Sequence, residues 1–293
     1  MSSEAVGQTV PWAAFAALDW ADRKHVWALR AADSDRVERG ELENTPEAVE
    51  AWAAGLAQRF GGRPVAVALE QARGALMFML TKYEHLVLYP VHPGALANFR
   101  AALFPSGAKD DPRDADLLLD LLVHHRDRLR PWQPDTVETR TLQFLVEARR
   151  RLVDEKTRQT NRLTDELKLY FPQILSWFDE VDSVLVGDLL ERWPTLDQIQ
   201  KARSATLRQF FTQHNCRSAE LIEQRLEQIR TATPATRDQA VIQSSVINVL
   251  ILARLIGVLR QGITDMERQI AQLFASHPDF ALEIGRASCR ERV

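Results

Sequence analysis

Residues 13–42, AAFAALDWADRKHVWALRAADSDRVERGEL, decide the fold. AAFAALDW (13–20) is an apolar run broken by one acid, ADRK (21–24) is a turn, and HVWALRA (25–31) is a second strand. RVERGEL (36–42) is a third, more exposed strand. Thr45 then opens a helix in TPEAVEAWAAGLAQRF (45–60), with threonine as N-cap, Pro46 at the first helical position and Glu47 in the first turn. GGRP (61–64) ends that helix, and PVAVALE (64–70) is a short unbroken apolar run, as expected of a strand buried on both faces. A helix over about 73–83, the strand HLVLYP (85–90) and helices near 93–104 and 112–124 follow. The order predicts an α/β unit with a mixed sheet and flanking helices.

After Pro131 the pattern is helical throughout. One long helix is expected over about 137–170, shorter ones around 182–192, 195–201, 204–214 and 217–230, with Pro172, Pro194 and Pro234 as punctuation. A final helix is expected over about 237–276. Val249, Ile256, Ile263 and Ile270 fall at one heptad position, and Leu252, Leu259, Met266 and Leu273 three residues later. β-branched residues at a and Leu or Met at d over four heptads form a coiled-coil signal. Leu250, Ile251, Leu255 and Val258 make the first half apolar on further sides, so it is expected to pack against other helices as well. The two long helices bracketing a helical cluster suggest an antiparallel stalk with a knob at its tip.

The chain of 293 residues is 45% hydrophobic and 26% charged, as in a soluble globular protein, and its formal net charge of -3 gives no global nucleic-acid signature. Residues 1–12 are read as a disordered start without the features of a signal peptide. Val246–Leu259, the longest apolar stretch, is too short to span a bilayer and includes Asn248 and Arg254. The two cysteines form no metal or redox pattern, so a cytoplasmic bacterial protein without a membrane partner is expected. Residues 283–293, EIGRASCRERV, break the helical pattern. Back-translated, they resemble a sequencing adapter, and on that reading the natural frame is cut near Leu282. The expected organisation is therefore an α/β domain over 13–130, a helical coiled-coil region over 131–282, and an artefactual tail.

Four carboxylates carry the chemistry. Asp19 interrupts an apolar strand and Glu70 ends another; an ionised carboxylate there is costly unless paired or metal-bound. In an α/β fold opened by a hairpin, the first strand and the strand after the first helix lie side by side and parallel. Asp19 and Glu70 are then neighbours near the carboxyl ends of their strands, where such sheets put ligands. KDDPRDADLL (109–118) adds Asp111 and Asp114, three apart at a helix start and on one face. Four converging carboxylates suit Mg²⁺ or Mn²⁺, and two such ions can clamp the attacking and leaving oxygens of a phosphodiester. Taken singly, Asp111 and Asp114 also suit a helix N-terminus, and Glu70 could pair with Arg73.

LDWADRKH (18–25), VALEQARG (67–74), YPVHPGALANFR (89–100) and KDDPRDADLL (109–118) resemble the motifs of the IS110, or Piv-like, DEDD transposases. The resemblance covers about residues 13–282, and its fourth motif, Lys-x-Asp-x-x-Asp-Ala, is the most specific. It implies a RuvC/ribonuclease H-like catalytic domain followed by a helical region, with Asp19, Glu70, Asp111 and Asp114 as the DEDD set. Asp110 and Asp116 are out of register. Trp20-Ala21-Asp22-Arg23 before Lys24, and Gln71-Ala72-Arg73-Gly74 after Glu70, depart from the usual pattern. The resemblance further implies DNA as substrate, an oligomer, an element-encoded guide RNA, and a serine-bearing second domain downstream of the long helix. SHPDFAL (276–282) is where that domain would begin, and no serine of this chain takes the nucleophile's role.

Arg149, Arg150, Arg151, Lys156 and Arg158 crowd the first long helix, and Lys109, Arg126 and Arg128 lie nearby in sequence. They are candidates for phosphate contact, or else form a solvated face with internal ion pairs. Trp12, Trp27 and Trp52 read as core or half-core residues. Two other functions compete with a transposase. One is a non-catalytic nucleic-acid-binding or dimerising remnant. The other is an actin-like ATPase, whose phosphate turn is absent from Ala21–His25.

Overall fold

The computed structural model describes residues 12–70, 74–103 and 111–276. Five strands form one sheet: β1 (Ala14–Asp19), β2 (Lys24–Ala31), β3 (Val37–Glu43), β4 (Val65–Leu69) and β5 (Leu86–Pro90), in the order β3-β2-β1-β4-β5. β1, β2 and β3 are antiparallel neighbours; β1, β4 and β5 run parallel. Around them lie α1 (Pro46–Phe60), α2 (Ala75–Leu80), α3 (Pro93–Leu103) and α4 (Asp111–His125). This is the mixed sheet of a RuvC/ribonuclease H-like domain, followed here by a helical region.

Alternation along the central strands sorts the side chains into two cores. Ala14, Ala16 and Leu18 of β1 and Val65, Val67 and Leu69 of β4 pack with Val49, Ala53, Leu56 and Phe60 of α1. Phe15 and Ala17 of β1 and Ala66 and Ala68 of β4 pack instead with Ala115, Leu118 and Leu122 of α4. Small residues on this second face let α4 lie close to the sheet. α1 begins as its sequence requires, with the Thr45 side chain accepting from Ala48 N–H. It ends at Gly61, whose φ of 62° is left-handed and favours glycine. α2 is shorter than expected, starting after Gly74, and residue 73 lies outside the described residues.

The chain divides into two compact units between Pro134 and Asp135. The second is all helical: α5 (Val137–Tyr170), α6 (Gln173–Trp177), α7 (Val184–Arg192), α8 (Leu196–Gln200), α9 (Ser204–Gln213), α10 (Ala219–Thr231) and α11 (Gln239–Ser276). α6 was not expected from the sequence; it follows Pro172 directly, since proline's fixed φ is compatible with a helix start. α5 and α11 pack antiparallel, for Arg149 pairs with Glu267 while Glu166 meets Asn248 near the opposite end. Val249, Ile256, Leu259 and Ile263, at the expected heptad positions, are buried.

The expectation that further helices cover the first half of α11 is met only in part: α7 packs against it and Leu250 is half-buried. Ile247, Ile251, Leu255 and Val258 are exposed. α7 runs beside α11, and the groove between them is lined in part by Ala253, Gly257 and Gly187. Among the described residues α11 is long and apolar enough to cross a membrane by length and composition, although its heptad face packs within the protein.

Candidate active site

The sheet register fixes the first two carboxylates. Leu18 of β1 pairs with Leu69 of β4, so the next residue of each strand, Asp19 and Glu70, leaves the sheet side by side. Neighbouring strands lie roughly 4.8 Å apart. Alternation then sets the face. Phe15 and Ala17 precede Asp19, and Ala66 and Ala68 precede Glu70, on the side covered by α4. Asp19 is 7% exposed and Glu70 half-buried.

The direction of α4 brings the third carboxylate to the same end. Arg126, just past its carboxyl end, stacks 5.3 Å over Trp12 and 5.3 Å over Phe15, at the beginning of β1. Near the other end Asp116 accepts from Arg39 Nε at 2.8 Å, and Arg39 lies in register with Ala28 and, through it, Ala17. α4 therefore runs antiparallel to β1, and its first turn lies toward the Asp19 end. Asp114 is fully buried in that turn, on the face that carries Leu118 one turn later. Asp111 is the first residue of α4; its side chain, like Asp110 and Lys109, lies outside the described residues.

Asp114 is held by a residue the sequence did not single out. Arg100, in α3, donates from a terminal guanidinium nitrogen to Asp114 Oδ1. The other oxygen, Oδ2, is buried with no hydrogen-bond partner among the described residues, as is Arg100 Nε. Among the described residues no three acidic, histidine or cysteine side chains form a group able to hold a metal. The donor chemistry nevertheless suits a hard divalent ion. An oxygen of a buried carboxylate has no hydrogen-bond partner among the described residues, and two further carboxylates emerge on the same side of the sheet.

His25 was read only as a strand residue. It is fully buried, and its Nδ1 accepts from Ala21 N–H at 3.2 Å, tying down the turn that leaves Asp19. Burial holds its pKa below the ordinary 6.5. Alternation with Trp27 and Leu29 was the available signal, for it assigns His25 to the α1 face and hence to the core.

The basic residues behave differently. Arg149 Nε donates to Glu267 at 2.9 Å, Arg150 lies 4.0 Å from Asp154, and Arg151 lies 3.6 Å from Glu147. Lys156 meets Asp182 at 2.7 Å, and Arg158 pairs with Glu155. Each of the five has an acid beside it. Arg126 is committed to its aromatic pair, whereas Arg128 is exposed in the short 3-10 turn after α4.

Residues 16–172 match the family described as "Transposase" of the DEDD IS110 group. A Sinorhizobium fredii protein provisionally named a transposase, y4uE, is 27% identical over 209 residues, 69% of this chain and 57% of its own length. A Streptomyces coelicolor mini-circle protein, provisionally named the transposase for IS117, is 24% identical over 272 residues, 90% of this chain and 66% of its own. The chain thus matches less than two thirds of the length of either relative.

Proposed function

Because the chain belongs to the IS110 transposase family, we propose that its α/β domain is the acidic half of a DNA transposase, working through Asp19, Glu70, Asp111 and Asp114. One observation carries this reading. The register of β1 with β4 and the antiparallel course of α4 bring two strand-end carboxylates and a helix carboxylate to one end of the sheet. The flanking apolar core keeps the strand ends rigid, so the carboxylates meet the ion and DNA with little reorganisation.

The ions implied are Mg²⁺ or Mn²⁺, which, when bound, would supply charge neutralisation at a scissile phosphate and a more acidic water or hydroxyl. Asp19 and Glu70 would hold them from the sheet, and Asp111 and Asp114 from α4. The substrate would be the ends of an insertion sequence, cleaved and transferred in the cytoplasm by an oligomer, with an element-encoded guide RNA as a further partner. A non-catalytic binding or dimerising role is the alternative if no metal is held.

The test is calorimetric titration of the full chain with Mn²⁺ and Mg²⁺, alongside Asp19→Asn, Glu70→Gln and Asp111→Asn. Each substitution is expected to weaken binding by tenfold or more. Unchanged affinity in Asp19→Asn would remove the basis for the acidic site.

A further inference from the structure

We propose that Arg100 is the positioning residue of the site: it holds Asp114 Oδ1 so that Oδ2 is the oxygen presented to a divalent ion. This inference rests on the reading of Asp114 as a ligand.

A carboxylate has two oxygens, and here they have unequal fates. Oδ1 is engaged by the Arg100 guanidinium, and Oδ2 is buried without a hydrogen-bond partner among the described residues. Leaving a buried carboxylate oxygen unpaired is costly, so such an atom calls for an explanation. Ligation to a cation supplies one. An outer hydrogen-bond partner that fixes a ligating carboxylate is a common arrangement, and removing it typically weakens metal binding by roughly 10–100-fold.

The local structure suits Arg100 to this work. It sits in α3, which packs on α4, and its side chain is only 19% exposed. Asp114 is 0% exposed, so in the intact protein the guanidinium and not bulk water holds Oδ1. The planar fork fixes direction as well as charge, which lysine does not do. One guanidinium also offsets part of the repulsion among the carboxylates, while its remote position at Oδ1 leaves Oδ2 for the ion.

Arg100→Met is expected to weaken Mn²⁺ binding by roughly 10–100-fold. Arg100→Lys, which keeps the charge and loses the fork, is expected to fall between Arg100→Met and the parent. The diagnostic variant is Asp114→Asn combined with Arg100→Met. If Arg100 acts through Asp114, the pair binds no more weakly than Asp114→Asn alone; independent roles would multiply the losses. The double variant also removes the unpaired buried charge, and Arg100→Lys retains a cation. The test therefore stands if Arg100→Met does not fold.

Affinity within twofold of the parent in Arg100→Lys and in any folded Arg100→Met would overturn the inference, as would multiplicative losses in the double variant. The two failures are separable. If Asp19→Asn and Asp114→Asn weaken binding while the Arg100 variants do not, the positioning role alone falls. If neither carboxylate variant changes binding, the metal reading falls with it.

Discussion

Acidification from about pH 7.5 to about pH 5.5 should destabilise the α/β unit through His25. The side chain is fully buried, and burial lowers its pKa from 6.5, so the folded state binds its proton less readily than the unfolded chain. Unfolding then takes up a proton. The stability that comes from keeping His25 neutral is fully present above pH 6.5 and is lost as the pH falls below it toward the folded pKa. Each unit of that fall costs at most about 1.4 kcal/mol, so one unit below the unfolded value the loss is bounded near ~1.4 kcal/mol. Protonation at Nδ1 would also forfeit the bond from Ala21 N–H, loosening the turn after Asp19. Carboxylates held low by arginines, such as Glu38 beside Arg59, keep their contribution above 4.5 and lose it only as the pH falls through their lower folded pKa, outside this window. The assay is urea unfolding of the parent and of His25→Gln at both pH values. The parent should lose stability that His25→Gln, starting lower at neutral pH, does not lose. Equal pH slopes in the two proteins would refute the reasoning.

Leu118, fully buried between α4 and the sheet, should cost about 3–5 kcal/mol as Leu118→Ala in chemical denaturation, whereas Leu118→Met should cost less than about 1.5. A Cβ at Gly40 would lie 2.5 Å from Trp27 Cζ2, so Gly40→Ala should destabilise by about 1–3 kcal/mol, and much less when combined with Trp27→Ala. The antiparallel pairing of α5 with α11 puts Leu152 Cδ1 3.4 Å from where a Gly262 Cβ would sit. Leu152→Cys with Gly262→Cys should therefore cross-link within the chain through a short thiol reagent, and neither single variant should do so; a parallel pairing would give no such product. If the α5 arginines bind phosphate, replacing Arg149, Arg150 and Arg151 together by alanine should flatten the salt dependence of DNA or RNA filter binding. The log–log slope should fall by up to about 0.9 for each phosphate no longer neutralised.

The sheet was legible because its signals are local. Asp19 breaks a strand that is otherwise apolar, the hairpin turn is short, and a helix of fifteen residues with a threonine cap returns the chain to a parallel neighbour. Those features alone imply that Asp19 and Glu70 are adjacent. What they do not carry is the direction of α4, set by Arg126 over Trp12 and Phe15 and by Arg39 with Asp116, contacts across 77 or more residues. Arg100 escaped notice for a related reason. It reads as an ordinary helix residue until α3 and α4 pack, and its partner lies 14 positions on, beyond any helical spacing. His25 differs, since alternation with Trp27 and Leu29 already assigned it to the core face and only its polarity disguised this.

The helical unit sets a harder limit. Of its heptad positions on α11, Val249, Ile256, Leu259 and Ile263 are buried, while Leu252, Met266, Ile270 and Leu273 are half-buried. Residues beside the heptad stripe, Ile251, Leu255 and Val258, are equally apolar, and sequence alone assigns them the same fate, yet they are exposed. A helix can be covered only where another element reaches it, as α5 and α7 reach α11. The basic run of α5 is ambiguous in the same way. Arg150 with Asp154 and Arg151 with Glu147 are four apart, the spacing of an ion-paired solvated face. A phosphate backbone approaching these arginines must compete with acids already in place. Any nucleic-acid affinity here is accordingly expected to be smaller than the number of cations suggests.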